Sequence, residues 1–226
     1  SGVITDEGRI VAAIPTIKKL LAGGASIVIC SHLGRPEGKV SKEFSLEPVA
    51  ARLSELLGSK VLFATDTIGE DAKKKALSLA PGEIVVLENL RFNEQETSSD
   101  PAVREGFALE LSELADVFVS DGFGVVHRKQ ASVYEIASLL PSAAGLLVES
   151  EVGVLAELTG STAKPYTVVL GGSKVSDKIG VIDALLPRVS NLVIGGGMLF
   201  TFLAAQGLKV ALSLIHISEP TRQAEI

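Results

Sequence analysis

The sequence predicts an α/β protein, with a doubly wound parallel sheet in a first domain and the beginning of a second α/β domain after it. Short apolar runs rich in Val and Ile alternate with stretches of helical periodicity, an order typical of doubly wound sheets. Hydrophobic residues make up 46% of the chain but aromatic residues only 4%, and Trp is absent. The core must therefore consist of Leu, Ile, Val and Ala, as in parallel sheets covered by helices on both faces.

Six apolar runs are predicted to form strands, at residues 26–30, 60–64, 83–89, 117–121, 166–172 and 191–197. They are hydrophobic without alternation, which indicates strands that are buried on both faces.

Helices are predicted between these strands, over residues 6–22, 46–57, 101–114, 176–186 and 198–206, with a further helix-like run over 149–158. Thr5 and Ser45 are the predicted caps of the first two. The third has Asp100 as its cap and Pro101 in its first turn, where the missing N–H of proline costs nothing.

A domain boundary is predicted near residues 160–165. The helix-like run ends in TGSTAKP, residues 159–165, and a new strand–helix–strand–helix unit follows it. We therefore expect a first domain over residues 1–160 and the truncated start of a second domain over residues 161–211.

The last segment, residues 212–226, continues no pattern that precedes it. Its stretch LSLIHISEPTR, residues 212–222, resembles the conceptual translation of a sequencing adapter; an ordinary strand and turn is the alternative. We expect a non-native tail in which His216 and Glu219 carry no function, and a native chain that stops near Ala211.

Bulk properties narrow the class of function. The net charge of −6 argues against a general nucleic-acid or membrane-surface role. The single cysteine, Cys30, excludes an internal disulfide and fits a reducing compartment. We see no signal peptide and no apolar run near 18 residues. We therefore expect a soluble, monomeric protein of the cytoplasm that binds neither nucleic acid nor membranes.

Cationic side chains follow three of the predicted strands, and ligands of doubly wound sheets bind beyond the carboxyl ends of strands. His32 and Arg35 follow the first strand, Arg91 the third, and Arg128 the fourth, beside His127. Each charge alone is compatible with a solvated loop. Together they predict a site for a small, multiply charged anion, since the planar guanidinium meets phosphate or carboxylate bidentately.

Glycines and lysines mark the second domain. Gly171 and Gly172 follow a strand and precede a helix, with Lys174 and Lys178 four residues apart, and a second glycine run, 195–197, follows the last strand. Backbone N–H groups there favour phosphate, although the spacing is not that of a P-loop and packing at strand–helix junctions is the alternative. A small-acid site and a nucleotide site on two domains favour a kinase over a hydrolase, because no nucleophile elbow, CxxC or HExxH is present.

Seven segments carry a resemblance to a known family. ITDEGRI, SHLGRP, LENLRF, SDGFGVVHR, LPSAAG, LGGSKVSDKIGVI and IGGGMLFTFLAAQG resemble phosphoglycerate kinases in order and spacing, over about residues 2–210. The resemblance implies two doubly wound, Rossmann-like domains that close around a hinge. It also implies reversible phosphoryl transfer from 1,3-bisphosphoglycerate to ADP, which gives 3-phosphoglycerate and MgATP.

The resemblance further implies the role of individual residues. Catalysis falls to Arg9, Lys174 and Lys178. The residues implied in binding 3-phosphoglycerate are Arg9, His32, Leu33, Gly34, Arg35, Arg91 and Arg128. The residues implied on the nucleotide side are Gly171, Gly172, Lys174, Lys178, Gly195, Gly196 and Gly197. Mg²⁺ would arrive bound to ADP or ATP.

The resemblance also implies parts that the sequence lacks. The family begins with a strand carrying an R-x-D-x-N-x-P motif, and its second domain continues to a Gly-Gly-Asp loop near the metal. Because neither is present in the sequence, we expect the chain as written to be inactive. A non-catalytic fragment that only binds anions is the alternative.

Overall fold

The computed structural model describes residues 4–160, 163–173 and 175–210, and the α/β class predicted from the sequence is confirmed. Within these ranges the helices are α1 (Gly8–Ala22), α2 (Glu47–Leu57), α3 (Glu70–Leu77), α4 (Pro101–Ser112), α5 (Ile136–Leu139), α6 (Leu146–Thr159), α7 (Ile179–Leu185) and α8 (Met198–Ala205). The strands are β1 (Ile27–Ile29), β2 (Val61–Phe63), β3 (Ile84–Val86), β4 (Phe118–Ser120), β5 (Ser142–Ala144), β6 (Thr167–Gly171) and β7 (Asn191–Gly195).

All strand pairs of the described residues are parallel. They form one three-stranded sheet in the order β1–β3–β2 and two pairs, β4–β5 and β6–β7. The prediction of strands buried on both faces holds for β3 and is wrong for β6, along which exposed and half-buried residues alternate. The reason is that β3 has a neighbour on each side, whereas a two-stranded sheet leaves much of its surface open.

The core of the first part of the chain lies on both faces of β3. Ile84 and Val86 pack with residues of α1 and α2, including Leu53. Val85 packs on the opposite face with a cluster that includes Phe107 of α4. Successive side chains of a strand point to opposite faces, so this strand carries the doubly wound arrangement.

One of the three predicted caps is wrong, because the residue preceding α1 is Glu7 rather than Thr5. Ser45 does cap α2 through its side chain, since its Oγ accepts the N–H of Glu47, the first residue of that helix, at 3.2 Å. The residue directly before α2 is Leu46, whose N–H donates to the buried carboxylate of Glu88. That carboxylate comes from a distant part of the chain, so the local sequence could not reveal it. The cap of α4 is confirmed, because Asp100 Oδ1 accepts a hydrogen bond from the N–H of Ala102 at 2.9 Å.

The chain divides into two compact units, Ser1–Val152 and Gly153–Ile226. The division falls within α6, and the domain boundary after residue 160 stays a prediction. The tail predicted to be non-native, residues 212–226, lies outside the described residues. Among the helices that the structure describes, none is both long and apolar enough to span a bilayer.

Candidate functional site

A cavity of about 630 Å³ opens in the first unit beside the loops that follow β1, β3 and β4. Its lining residues are Arg35, Glu37, Gly38, Arg91, Glu94, Thr97, Arg128, Lys129 and Gln130. Four of these side chains are cationic and two are acidic. Since each loop leaves the carboxyl end of a parallel strand, the cavity lies where ligands of such sheets bind.

Arg91 lies in a short 3₁₀ turn, Leu90–Phe92, directly after β3. Its Nη1 donates to the carbonyl oxygen of Gly34 at 2.7 Å, which fixes the guanidinium against the loop after β1. Its Nε is buried and has no hydrogen-bond partner among the described residues. Burial lowers the pKa of Arg91, and the neighbouring charges of Arg128 and Arg35 lower it further. The side chain is thus held in a position that favours an incoming anion.

Asn89 organises the floor of this site. Its side chain is completely buried and its Nδ2 donates to the carbonyl oxygens of Leu33, at 2.7 Å, and Phe44, at 2.9 Å. Its Oδ1 accepts the N–H of Arg91 at 3.0 Å. One amide therefore joins three chain segments, and it satisfies backbone groups that would otherwise be buried without partners.

His32 is half-buried near several of these arginines. Burial and the positive charges of Arg91, Arg128 and Arg9 lower its pKa from 6.5 to about 4. The imidazole is therefore neutral at pH 7, and it can both donate and accept a hydrogen bond. Arg9 is exposed in the first turn of α1, and its positive charge acts on His32 in the loop after β1.

The loop after β1 needs an unusual backbone. Gly34 has φ +64°, and a Cβ there would lie 2.4 Å from the ring of Phe44. Glu37 has φ +52°, which is uncommon for a residue with a side chain. This tight path brings Arg35 to the cavity while the carbonyl of Gly34 faces Arg91.

The second unit brings its glycines together at the ends of β6 and β7, which pair through Gly171 and Gly195. Gly196 has φ +67°, and a Cβ there would lie 2.9 Å from the carbonyl oxygen of Gly172. The Lys178 side chain passes beside Gly172, since a Cβ on that glycine would lie 2.9 Å from Lys178 Cε. Lys174 lies outside the described residues.

The described structure groups the sequence-predicted residues into two sets. Four arginines of the first unit, Arg9, Arg35, Arg91 and Arg128, and the neutral His32 are coupled electrostatically or line one cavity. Leu33 and Gly34 contribute their carbonyl groups to the hydrogen bonds described above, while the Leu33 side chain is 42% exposed. In the second unit, Gly171, Gly172, Lys178, Gly195, Gly196 and Gly197 cluster where β6 and β7 end. Their individual roles in binding and catalysis stay predictions.

Sequence reasoning missed two kinds of residue. Asn89 stands inside LENLRF, but its sequence shows no sign that its side chain bonds to residues more than forty positions away. Glu37 and Glu94 line the cavity, although acidic residues are not expected at an anion site. The signal that could have found them is their proximity in sequence to Arg35 and Arg91.

Comparisons with known proteins give one consistent result. The family model described as phosphoglycerate kinase matches residues 1–225. The chain is 63% identical over 215 residues to the phosphoglycerate kinase of Clavibacter michiganensis subsp. michiganensis, covering 95% of this chain and 53% of that protein. It is 60% identical over 218 residues to that of Leifsonia xyli subsp. xyli, covering 96% and 54%. The solved structure of phosphoglycerate kinase from Coxiella burnetii superimposes with a TM-score of 0.79 at 42% identity, covering 95% of this chain and 53% of that one.

These matches agree in extent as well as in name. The chain spans about half the length of the curated relatives it matches. The similarity nevertheless runs through nearly all of the chain, and it includes the loops that form the cavity and the glycine cluster. This chain belongs to the phosphoglycerate kinase family.

Proposed function

We propose that this protein catalyses reversible phosphoryl transfer from 1,3-bisphosphoglycerate to ADP, which gives 3-phosphoglycerate and ATP in glycolysis. The observation that carries the proposal is that Arg35, Arg91 and Arg128 line one cavity. The charges of Arg91 and Arg128, together with that of Arg9, also lower the pKa of the nearby His32, after the larger effect of burial. Bringing like charges together is unfavourable in an empty site. A bound ligand with several negative charges removes that cost, and 3-phosphoglycerate carries a carboxylate and a phosphate.

Each group of the first unit would have a distinct task in binding. Arg35 and Arg128 are exposed and can turn their guanidinium groups toward the phosphate, with two parallel hydrogen bonds each. Arg91 is already fixed by Gly34, so it loses little side-chain freedom on binding. The neutral His32 can hydrogen-bond to a ligand oxygen without adding to the local positive charge.

Arg9 would act mainly on the group in transfer. During phosphoryl transfer, negative charge spreads over the equatorial oxygens of the moving group, and catalysis comes from positioning and electrostatic stabilisation. The exposed guanidinium of Arg9 lies in the first turn of α1, where repulsion by the helix dipole is unfavourable for the helix itself. We therefore assign Arg9 to the transition state, with no covalent enzyme intermediate.

The second unit would hold the nucleotide. The side-chain-free backbone of Gly171, Gly172 and residues 195–197 leaves room for close approach of a ligand, and Lys178 passes beside Gly172. By resemblance, Lys174 contacts the transferred phosphoryl group. Mg²⁺ would enter as part of MgADP or MgATP, and in the described ranges no group of three or more His, Cys, Asp or Glu side chains could hold it.

Substitution of the arginines tests the proposal. A charge-assisted hydrogen bond contributes about 1.5–3 kcal/mol, so Arg35→Ala, Arg91→Ala and Arg128→Ala should each weaken 3-phosphoglycerate binding by roughly ten- to a hundredfold in calorimetry. In a chain extended to the full length of its curated relatives, Arg9→Ala should lower kcat more than affinity, because its partner charge develops in the transition state.

The matched control for these variants is Arg52→Ala. Arg52 is paired with Glu7 and Glu55 outside the cavity, so its loss should leave binding within about twofold. If Arg52→Ala weakened binding as much as the cavity variants, the effect would be one of net charge and the assignment would be wrong.

A non-catalytic anion-binding protein is the second candidate, because the cavity alone accounts for binding. A coupled assay of ATP formation from ADP and 1,3-bisphosphoglycerate separates the two. We propose that the 226-residue chain by itself shows no turnover, since it spans about half the length of its curated relatives. We further propose a monomer in the cytoplasm with no nucleic-acid partner, which gel filtration and cell fractionation test.

A further inference from the structure

A buried hydrogen-bonded pair, Glu96 and Ser132, joins the two loops that carry Arg91 and Arg128. Glu96 is 2% exposed and Ser132 is 8% exposed. Ser132 Oγ donates to Glu96 Oε1 at 2.7 Å, and the N–H of Ser132 donates to Glu96 Oε2 at 3.1 Å. The two residues are 36 positions apart in sequence, so the pair is a tertiary connection and not a local turn.

The pair lies close to both arginines along the chain. Glu96 belongs to a 3₁₀ turn, Glu94–Thr97, that follows the turn of Arg91. Ser132 belongs to a π turn, Ala131–Glu135, that starts three residues after Arg128. Such wide turns are rare and often occur beside functional sites. The pair therefore fixes the end of one arginine loop to the end of the other.

Burying a carboxylate at this depth costs free energy unless the group is hydrogen-bonded or paired with a positive charge. Burial raises the pKa of Glu96, while the hydrogen bonds from Ser132 and the charge of Arg91 oppose that rise. The same interaction favours the charged form of Arg91 against the repulsion of Arg128 and Arg35. Glu96, which does not line the cavity, thus offsets part of the repulsion that Arg91 experiences from Arg128 and Arg35.

We propose that Glu96 and Ser132 are positioning residues, which hold Arg91 and Arg128 at the separation that a small, multiply charged anion requires. Neither residue lines the cavity, so both act through the loops that they join. The proposal rests on the proposed function for its ligand, 3-phosphoglycerate, but the separation of the arginines is a property of the protein alone.

Ser132→Ala in the intact protein is the test, because it removes the hydroxyl without changing any charge. His32 is the reporter, since its pKa of about 4 is lowered first by burial beneath these loops and then by the nearby charges of Arg91 and Arg128. Loosening the two loops should raise the pKa of His32 toward 6.5 in an NMR titration without ligand. Binding of 3-phosphoglycerate should weaken by about tenfold, in line with the steep cost of misplaced binding groups.

Two further variants complete the design. Ser112→Ala removes a hydroxyl that donates to Leu109 O on the exposed side of α4, and it should change neither readout. Ser132→Cys keeps a weak donor and should give intermediate values, so it serves if Ser132→Ala does not fold.

Each result decides something separate. A folded Ser132→Ala or Ser132→Cys protein whose His32 pKa equals that of the parent would overturn the positioning role. A parent protein that fails to bind 3-phosphoglycerate would instead overturn the proposed function, while the titration of His32 without ligand would still decide whether the pair positions the arginines.

Discussion

Replacement of Asn89 by alanine tests whether one buried amide holds the anion site together. Asn89 is completely buried and makes three hydrogen bonds, to the carbonyls of Leu33 and Phe44 and from the N–H of Arg91. Asn89→Ala removes all three and leaves their backbone partners inside the protein, where water cannot replace the lost amide without rearrangement.

The expected loss follows from these contacts. A neutral hydrogen bond contributes about 1 kcal/mol net, and a buried group left without a partner adds to that cost. Three such bonds give a loss of about 3–5 kcal/mol, a large part of the 5–15 kcal/mol that is typical of a whole domain. Binding of 3-phosphoglycerate should weaken as well, because the N–H bond fixes the turn that carries Arg91.

Hydrogen exchange of β3, Ile84–Val86, is the suitable assay, because this buried strand lies at the centre of its sheet and opens with the first unit. Urea unfolding gives the same free energy by a second route. Gln95→Ala is the control: Gln95 is exposed in the same unit, and its loss should change the free energy by less than about 0.5 kcal/mol. A loss below about 1 kcal/mol for Asn89→Ala would show that solvent reaches these groups and that the amide does not hold the loops.

Two other predictions concern the charge of His32 and the glycine cluster. Because the pKa of His32 falls from 6.5 to about 4 on folding, the unfolded chain takes up the proton first as the pH drops. The stability contributed by the neutral imidazole is therefore present above pH 6.5 and lost between pH 6.5 and 4. His32→Gln should flatten that part of the plot of unfolding free energy against pH. Sulfate bound in the cavity should raise the pKa of His32 measured by NMR. In the second unit, Gly196→Ala should lower the thermal midpoint, because Gly196 has φ +67° and its added Cβ would lie 2.9 Å from the carbonyl oxygen of Gly172. Gly180→Ala is the control: a Cβ in α7 would meet open space there, and the free energy of unfolding should rise by about 0.5–1 kcal/mol. The opposite order of thermal midpoints in differential scanning calorimetry would contradict the close approach of Gly196 and Gly172.

The charged part of the site was predictable from sequence because it depends on a short-range rule. Parallel strands present their carboxyl ends at one edge, so the residues that directly follow each strand meet there. Once the runs ending near Cys30 and Asn89 are recognised as strands, the neighbourhood of Arg35 and Arg91 follows without knowledge of any side-chain conformation. The same rule places Gly171 and Gly195 side by side, as their pairing in β6 and β7 confirms.

The supporting polar groups were not predictable, because each depends on a contact between distant segments. Glu88 accepts hydrogen bonds from the N–H of Leu46 and the hydroxyl of Ser45 from more than forty residues away, so the local sequence showed Ser45 at the start of α2 but not the carboxylate behind it. Glu96 reads in sequence as one of several acidic residues in a polar stretch, and only the folded chain shows that it is buried against Ser132. Burial of β3 but not of β6 likewise depends on the number of neighbouring strands, which periodicity does not reveal.

These supporting groups explain how a protein with a net charge of −6 can present a positive cavity. The cations that line the cavity are Arg35, Arg91, Arg128 and Lys129, and Arg91 is anchored on its inner side by Gly34 and by the turn that Asn89 holds. Hydrogen bonds to neutral backbone groups fix a guanidinium without cancelling its charge. Glu37 and Glu94 also line the cavity, but among the salt bridges of the described residues neither is paired with these arginines. The one buried carboxylate that acts on Arg91 within the described structure, Glu96, is itself bonded to Ser132. The arginines therefore remain available to a ligand, and a network of buried polar groups behind the cavity offsets part of their mutual repulsion.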